Sequence, residues 1–557
     1  MSVVTGRSKV ATTYGIVAAS HPLAARAGVQ VLERGGHAVD AAIAANAVMG
    51  LVEPHMNGIG GDLFAIVHDA TSNVLHGLNA GGWAPAGLSP HVLRSRGFDS
   101  MPTTGIHSVT VPGAMAGWAA LHDRFGRLPL RDLLAPAVFY ARHGFPLSEV
   151  SAGTWAGLAG KLAGDPNAAR TYLPHGVAPQ AGTIFTNPDL ATSLQHISDG
   201  GPAAFYQGPV AQAILGLSRD TGGTMTPDDL ASFTPQWVDP ISTTYRGWTV
   251  YELPPNTQGI AALMMLDIME TFPLADFGLH SVDALHVMIE AKKLAYADML
   301  AWVGDPRFFA AGTSPRPDDA AADPRVPALL DKARAAMRAR LVHPTRAAGH
   351  VEPSRLPGLT TGAGGDTIYL SVIDRAGNIV SLIQSIFEGF GSGLVAPGTG
   401  FALHNRGALF TLEDGHPNVL APRKRPLHTI IPGFMRKDDI RIGFGIMGGF
   451  NQAQAHAQFV AHVADFGLDI QQALEAGRFT KPTFDGRDVC VESLVPDASI
   501  RGLAARGHEI IVVPPRTGTF GYGQAVMSNG TGVHFGASEP RHDGAAIPEA
   551  PDVFSGN

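Results

Sequence analysis

The sequence predicts a mixed α/β fold, and three observations carry that prediction. Strand-like apolar runs alternate with helix-period segments along the 557 residues, the pattern expected where helices cover sheets. Ile368 to Ile373 and Ile379 to Ile386 are apolar runs joined by Asp374-Arg375-Ala376-Gly377-Asn378, which reads as a hairpin. Ser281 to Val303 reads as one long amphipathic helix, capped by Ser281 and ended by Gly304.

Taken in order, Pro22 to Glu33 reads as a helix with Ser20 near its start and Gly35-Gly36 as its stop. Ala41 to Val52 is apolar but too short to span a bilayer, so it reads as a buried helix. Ala310 to Pro324, with Gly312, Pro315, Pro317 and the acids Asp318, Asp319 and Asp323, has loop composition, and helix-like Pro327 to Leu341 follows. From His343 to Gly365 the chain is rich in Gly, Pro, Thr and Ala and reads as a mobile tail. Gly445-Ile446-Met447-Gly448-Gly449-Phe450 leads into helix-like Asn451 to Phe466.

Composition excludes several function classes. A net charge of -8 with no basic run beyond Arg423-Lys424-Arg425 gives no footprint for nucleic acid. Cys490 is the only cysteine, which excludes an intrachain disulfide and a cysteine-based metal cluster. The 23 histidines are scattered, and His456 with His462 lacks the i, i+4 spacing of a helical ligand pair, so neither a metal nor a cofactor is expected. Gly389-Phe390-Gly391-Ser392-Gly393 lacks the third glycine of a dinucleotide loop at the required offset, and there is no phosphate loop or serine elbow. Met1 to Thr12 has no apolar core of signal-peptide length, so a cytoplasmic protein without a membrane partner is expected.

The chemistry centres on Gly364-Gly365-Asp366-Thr367, where a Gly-rich segment enters the strand-like run. A threonine hydroxyl is a weak nucleophile unless a base activates it, and its own α-amine serves once the threonine becomes an N-terminus. The break would fall between Asp366 and Thr367. Thr360 and Thr361 are weaker candidates, because an N-terminus six or seven residues before the strand would leave the amine on a tether and forfeit orientation. Paired Gly448 and Gly449, at a strand-to-helix junction, can converge two N–H groups on an oxyanion.

With these motifs in place, the sequence resembles the γ-glutamyltranspeptidase family of self-processing N-terminal-nucleophile hydrolases. The likeness runs through Val17 to Ala24, Gly35 to Ala42, Gly58-Ile59-Gly60-Gly61-Asp62, Val111 to Trp118, Pro254-Pro255-Asn256-Thr257-Gln258-Gly259 and Glu290 to Asp298. The resemblance implies a four-layer αββα sandwich built from two intertwined segments, 1–366 and 367–557, where length alone would suggest three or four domains. It implies Thr367 as nucleophile, Ser385, eighteen residues on, as its supporting hydroxyl, and Gly448 and Gly449 as the oxyanion donors. The implied partners are the two segments and a small amide substrate, with further oligomerisation open.

The departures from the family pattern cluster where a glutamyl head group would bind. Gly81 stands in place of the carboxylate-binding arginine, Leu409 in place of the aspartate for the substrate ammonium, Phe387 in place of an asparagine, Arg406 in place of a glutamine or glutamate, and His428-Thr429 in place of a serine pair. With Arg406, and with Arg425 and His428 close by on the same analogy, the pocket is expected to take an acyl group carrying a carboxylate but no ammonium. Oxamate and the glutaryl side chain handled by related cephalosporin acylases are examples. Trp83, Phe387 and Phe390 are candidates for an apolar wall. The alternative of another class is an uncleaved scaffold that binds a small acid.

Overall fold

The computed structural model describes residues 3, 5–308, 323, 325–354 and 368–551. Asp366, Thr367, Thr360 and Thr361 lie outside the described residues, as does the 310–324 loop apart from Asp323.

Two seven-stranded sheets, each antiparallel throughout, are stacked face to face. One runs in the order Ala545–Pro548, Ile16–Ala19, Ile368–Ile373, Ile379–Ser385, Asp62–Asp69, Val74–Ala80, Gln236–Val238. The other runs Val10–Thr12, His534–Ser538, Gly523–Ser528, Ile440–Ile446, Gly433–Lys437, Trp248–Glu252, Ile241–Tyr245. Helices Pro22–Glu33, Ala38–Val52, Ala114–Phe125 and Leu130–His143 cover the outer face of the first sheet, and Gly259–Met269, Val282–Trp302 and Asn451–Ala464 cover that of the second. The four-layer αββα expectation is therefore met.

Strand periodicity sorts the side chains between layers. Leu370 and Val372, with Leu63, Ala65 and Val67, pack under the first helix layer, whereas Tyr369, Ile373, Phe64 and Ile66 fill the space between the sheets. In Ile440–Ile446 the residues Ile442, Phe444 and Ile446 face the second helix layer. The alternate positions are glycines because the sheets approach closely there: a Cβ on Gly445 would lie 2.4 Å from the Tyr369 ring. This contact sets the end of Ile440–Ile446 above the start of Ile368–Ile373.

Most predicted elements are observed close to their predicted limits. Pro22–Glu33 is a helix as drawn, but its N-cap is His21, whose Nδ1 accepts the Leu23 N–H at 3.2 Å. Ser20 instead donates to Glu53 Oε2 at 2.6 Å. Ser281 caps Val282–Trp302 through the Ala284 N–H. The Pro327–Leu341 region is divided into Arg325–Leu329 and Lys332–Ala339, because Asp331 caps the second helix and so breaks the run. The hairpin closes with Asp374 Oδ1 accepting the N–H groups of Ala376 and Asn378, and Gly377 at φ +87°. Residues 343–354, read as part of a mobile tail, lie against Val282–Trp302: Trp302 Nε1 donates to the Ser354 carbonyl at 3.0 Å and Lys293 Nζ to the Ala348 carbonyl at 2.7 Å.

Candidate active site

Ser385 ends its strand opposite Asp62, one step beyond the pairing of Ile368 with Gln384. It is buried, and its Oγ accepts the Phe387 N–H at 2.7 Å. That short loop puts Phe387 at φ +78°, a strained backbone for a bulky side chain, and leaves its ring buried beside the strand end.

Gly448 and Gly449 sit between the strand Ile440–Ile446 and the helix Asn451–Ala464, with φ +131° and +60°. Side chains with a Cβ rarely adopt such values. Among the described residues neither amide N–H is donated to an acceptor, while the carbonyls of both accept helix amides: Gly448 from Asn451 at 2.9 Å and Gly449 from Gln452 at 3.1 Å. Two free N–H groups at the N-terminus of a helix suit a developing oxyanion. Gln258 Nε2 braces this loop by donating to the Gly449 carbonyl at 2.7 Å and the Thr429 carbonyl at 2.5 Å.

A cluster of side chains is built on Asp62, which is fully buried. Its Oδ1 accepts the Gly82 N–H at 2.8 Å, and its Oδ2 accepts His428 Nε2–H at 2.9 Å. His404 Nδ1 lies 3.1 Å and Arg406 Nε 3.6 Å from the same Oδ2. Burial alone would raise the Asp62 pKa, but the adjacent His404 and His428 outweigh it and hold the carboxylate well below the usual range. For His428 burial dominates, followed by the Arg406 charge, and its pKa falls to about 3 despite Asp62. Its bonding agrees with a neutral ring, since Nδ1 accepts the Ile430 N–H at 3.3 Å while Nε2–H donates to Asp62.

Arg406 joins this cluster to Phe387. Nη1 donates to Thr429 Oγ1 at 2.7 Å, and the guanidinium stacks 4.4 Å from the centroid of the Phe387 ring. Ser385, Phe387, Arg406, His428 and Thr429 are thus brought together at one end of the first sheet. Arg425 is bound differently. Its Nε donates to the Gly81 carbonyl at 2.8 Å and its Nη2 to the Thr234 carbonyl at 3.3 Å, it also bonds Gln236, and it lines a separate cavity of about 410 Å³ with Asn79 and Asn256. Trp83, Phe387 and Phe390 do not form one wall: Trp83 packs on Phe233, Phe387 under Arg406, and Phe390 against Trp155 and Tyr172.

Position 81 has no room for a long side chain. A Cβ there would meet the Phe64 ring at 3.0 Å, Asn79 Oδ1 at 3.2 Å and His428 at 3.4 Å. Leu409 is buried in the same apolar cluster as Phe387 and Leu427. Sequence reasoning did not single out Asp62, Gln258 or His404, although the first two stand inside the motifs Gly58–Asp62 and Pro254–Gly259 and His404 lies two residues before Arg406.

Comparison with known proteins agrees with this geometry. A crystal structure of cephalosporin acylase from Bacillus halodurans superposes with a TM-score of 0.89 at 39% identity, over 98% of this chain and 97% of that one. The glutathione hydrolase-like YwrD proenzyme of Bacillus subtilis is 35% identical over 96% of this chain and 98% of its own length. The oxamate amidohydrolase proenzyme of Klebsiella pneumoniae is 31% identical over 96% and 98%. The gamma-glutamyltranspeptidase family model matches residues 24–549. The chain therefore belongs to the γ-glutamyltranspeptidase family and is an amidohydrolase or acyltransferase of the N-terminal-nucleophile type.

Proposed function

We propose that this enzyme matures by cleavage between Asp366 and Thr367 into segments 1–366 and 367–557, and that it acts on small amides whose acyl group bears a carboxylate but no ammonium. The Thr367 hydroxyl attacks the Asp366 carbonyl, the peptide C–N bond breaks, and the nitrogen becomes the α-amine. Water hydrolyses the resulting ester, leaving an Asp366 carboxylate and a free Thr367 hydroxyl. In turnover that amine takes the hydroxyl proton as the oxygen attacks the substrate amide, and the Gly448 and Gly449 N–H groups receive the oxyanion. The substrate amine leaves with the proton, and water or a second amine resolves the acyl ester. Ser385 supports the nucleophile, while Arg406 and Thr429 with His428 form the head-group side.

The observation that carries the acyl preference is that positions 81 and 409 are Gly and Leu, without a charged side chain, while Arg406 stands nearby bonded to Thr429. An amino-acid head group would leave its ammonium without a partner there, which is costly in a buried site. A relative whose name describes hydrolysis of oxamate, a small amide with a carboxylate, supports the same reading. Arg425, already bonded to two backbone carbonyls, is assigned to holding the Gly81 loop.

Intact mass and N-terminal sequencing of the wild type beside Thr367→Ala test maturation: two segments, the second beginning at Thr367, are expected only in the wild type. A single stable chain in both would overturn the cleavage site. For the processed enzyme, a panel of oxamate, glutaryl and γ-glutamyl amides tests the pocket, and γ-glutamyl amides outperforming the others would refute the acyl assignment.

A further inference from the structure

A second group of chemically capable side chains lies far from this site in the chain. His286 and Glu290 stand one turn apart on the helix Val282–Trp302, and His508, 222 residues beyond His286, reaches the same point. One ligand atom from each residue lies within 4.8 Å of the other two, and all three residues are buried. His286 Nδ1 and His508 Nε2 are 2.8 Å apart, and His286 Nε2–H donates to the His343 carbonyl at 2.8 Å. That backbone bond fixes the tautomer in which Nδ1 carries the lone pair, the outer support that a ligating histidine ordinarily has. His508 Nδ1 is buried and has no partner among the described residues.

We propose that His286, Glu290 and His508 bind a divalent transition-metal ion of the zinc type. Metal–nitrogen bonds of about 2.0–2.1 Å in a tetrahedral set need the two nitrogens to part by only about 0.5 Å. The proton on His508 Nε2 moves to Nδ1 as Nε2 takes the metal. Glu290 Oε1 holds Lys293 Nζ at 2.7 Å, while Oε2 receives only the Ala348 N–H at 3.2 Å and is the freer ligand atom. Burial keeps both rings neutral, as ligands must be, with His508 pushed down to about 3 and His286 lowered. His286 also lines a cavity of about 470 Å³ with Val342 and Pro344, which gives a water access to a fourth position.

The site would bridge the molecule. His286 and Glu290 belong to 1–366 and His508 to 367–557, so in a cleaved enzyme the ion would cross-link the two segments. Metal binding itself does not rest on cleavage, and the test keeps the two apart. Chelator-treated wild type is titrated with ZnCl2 against a chromophoric competitor, and Co2+ is added to a second sample to read its visible d–d bands. One ion per chain and tetrahedral-type bands are expected, in the Thr367→Ala precursor as well as in the wild type. Affinity should fall at least about tenfold in His508→Gln and in Glu290→Gln, as expected when a metal's protein contacts are removed, but not in the exposed control His91→Ala. No saturable binding by the wild type, or equal affinity in folded His508→Gln and Glu290→Gln, would overturn the site.

Discussion

In the proposed reaction Gly448 and Gly449 present backbone amides to the oxyanion, whereas Asp62, Arg406, His428 and Thr429 meet as side chains. Gln258 ties the two regions through carbonyl groups alone, those of Gly449 and Thr429. The difference teaches where this fold can change. A donor made of backbone survives any side-chain exchange that keeps the turn, so the acyl-transfer chemistry is held by conformation. The Asp62 cluster is made of exchangeable side chains, and the departures named from the resemblance, at 81, 387, 406, 409 and 428–429, gather around it.

The largest break in this comparison should come from the backbone half. Gly448→Ala places a Cβ at φ +131°, 3.2 Å from Gly521 Cα, and must turn the amide away. Loss of an oxyanion donor lowers kcat by ~10²–10³-fold. Steady-state kinetics on processed enzyme should show this fall for every amide, charged or neutral, with KM little changed. A selective effect on carboxylate-bearing substrates would mean that the glycine loop also reads the head group.

The side-chain half should fail selectively. Arg406→Met removes a charged hydrogen bond of ~1.5–3 kcal/mol, a loss of ~10–100-fold in kcat/KM for amides whose acyl group carries a carboxylate. Uncharged acyl amides should be unaffected, because Arg406 does not serve the oxyanion. Arg406→Lys should recover only part of the loss, since an ammonium cannot stack on Phe387 and hold Thr429 with the same planar fork. Equal losses for both substrate classes would assign Arg406 to supporting Asp62 instead.

The same contrast explains how much the sequence disclosed. The hairpin, the helix Pro22–Glu33 and the long helix after Ser281 were readable because each is dictated by local periodicity and punctuation. The strand-to-helix junction at Gly448 and Gly449 was readable because the pair separates an apolar run from a helix-period segment. Asp62 was hidden, since an acid after Gly60-Gly61 carries no local signal of the two histidines and the arginine that converge on it from residues 404–428. Long-range pairing also hid His286 and His508, and it assigned Arg425 to the Gly81 carbonyl in a way no spacing reveals.

Histidines offer the smallest and sharpest test. His428 is neutral with both nitrogens bonded, whereas His55, beside the Ser385 strand end, is buried with neither ring nitrogen partnered among the described residues. Burial, with a lesser push from His542, lowers the His55 pKa from 6.5 to about 3. The unfolded chain therefore binds the extra proton first, so His55 costs stability as pH falls from about 6.5 towards 3 and costs little above it. In His55→Leu that cost disappears. Urea unfolding should show the variant gaining about 1 kcal/mol relative to wild type between pH 7 and pH 5.5. His428→Leu removes a comparable pH cost but strips Asp62 Oδ2 of a donor, so it should lose stability at pH 7, where His55→Leu does not. If the two variants behaved alike at pH 7, the Asp62 cluster would contribute no more to the fold than the unpartnered ring, and the head-group region would be free to change without structural cost.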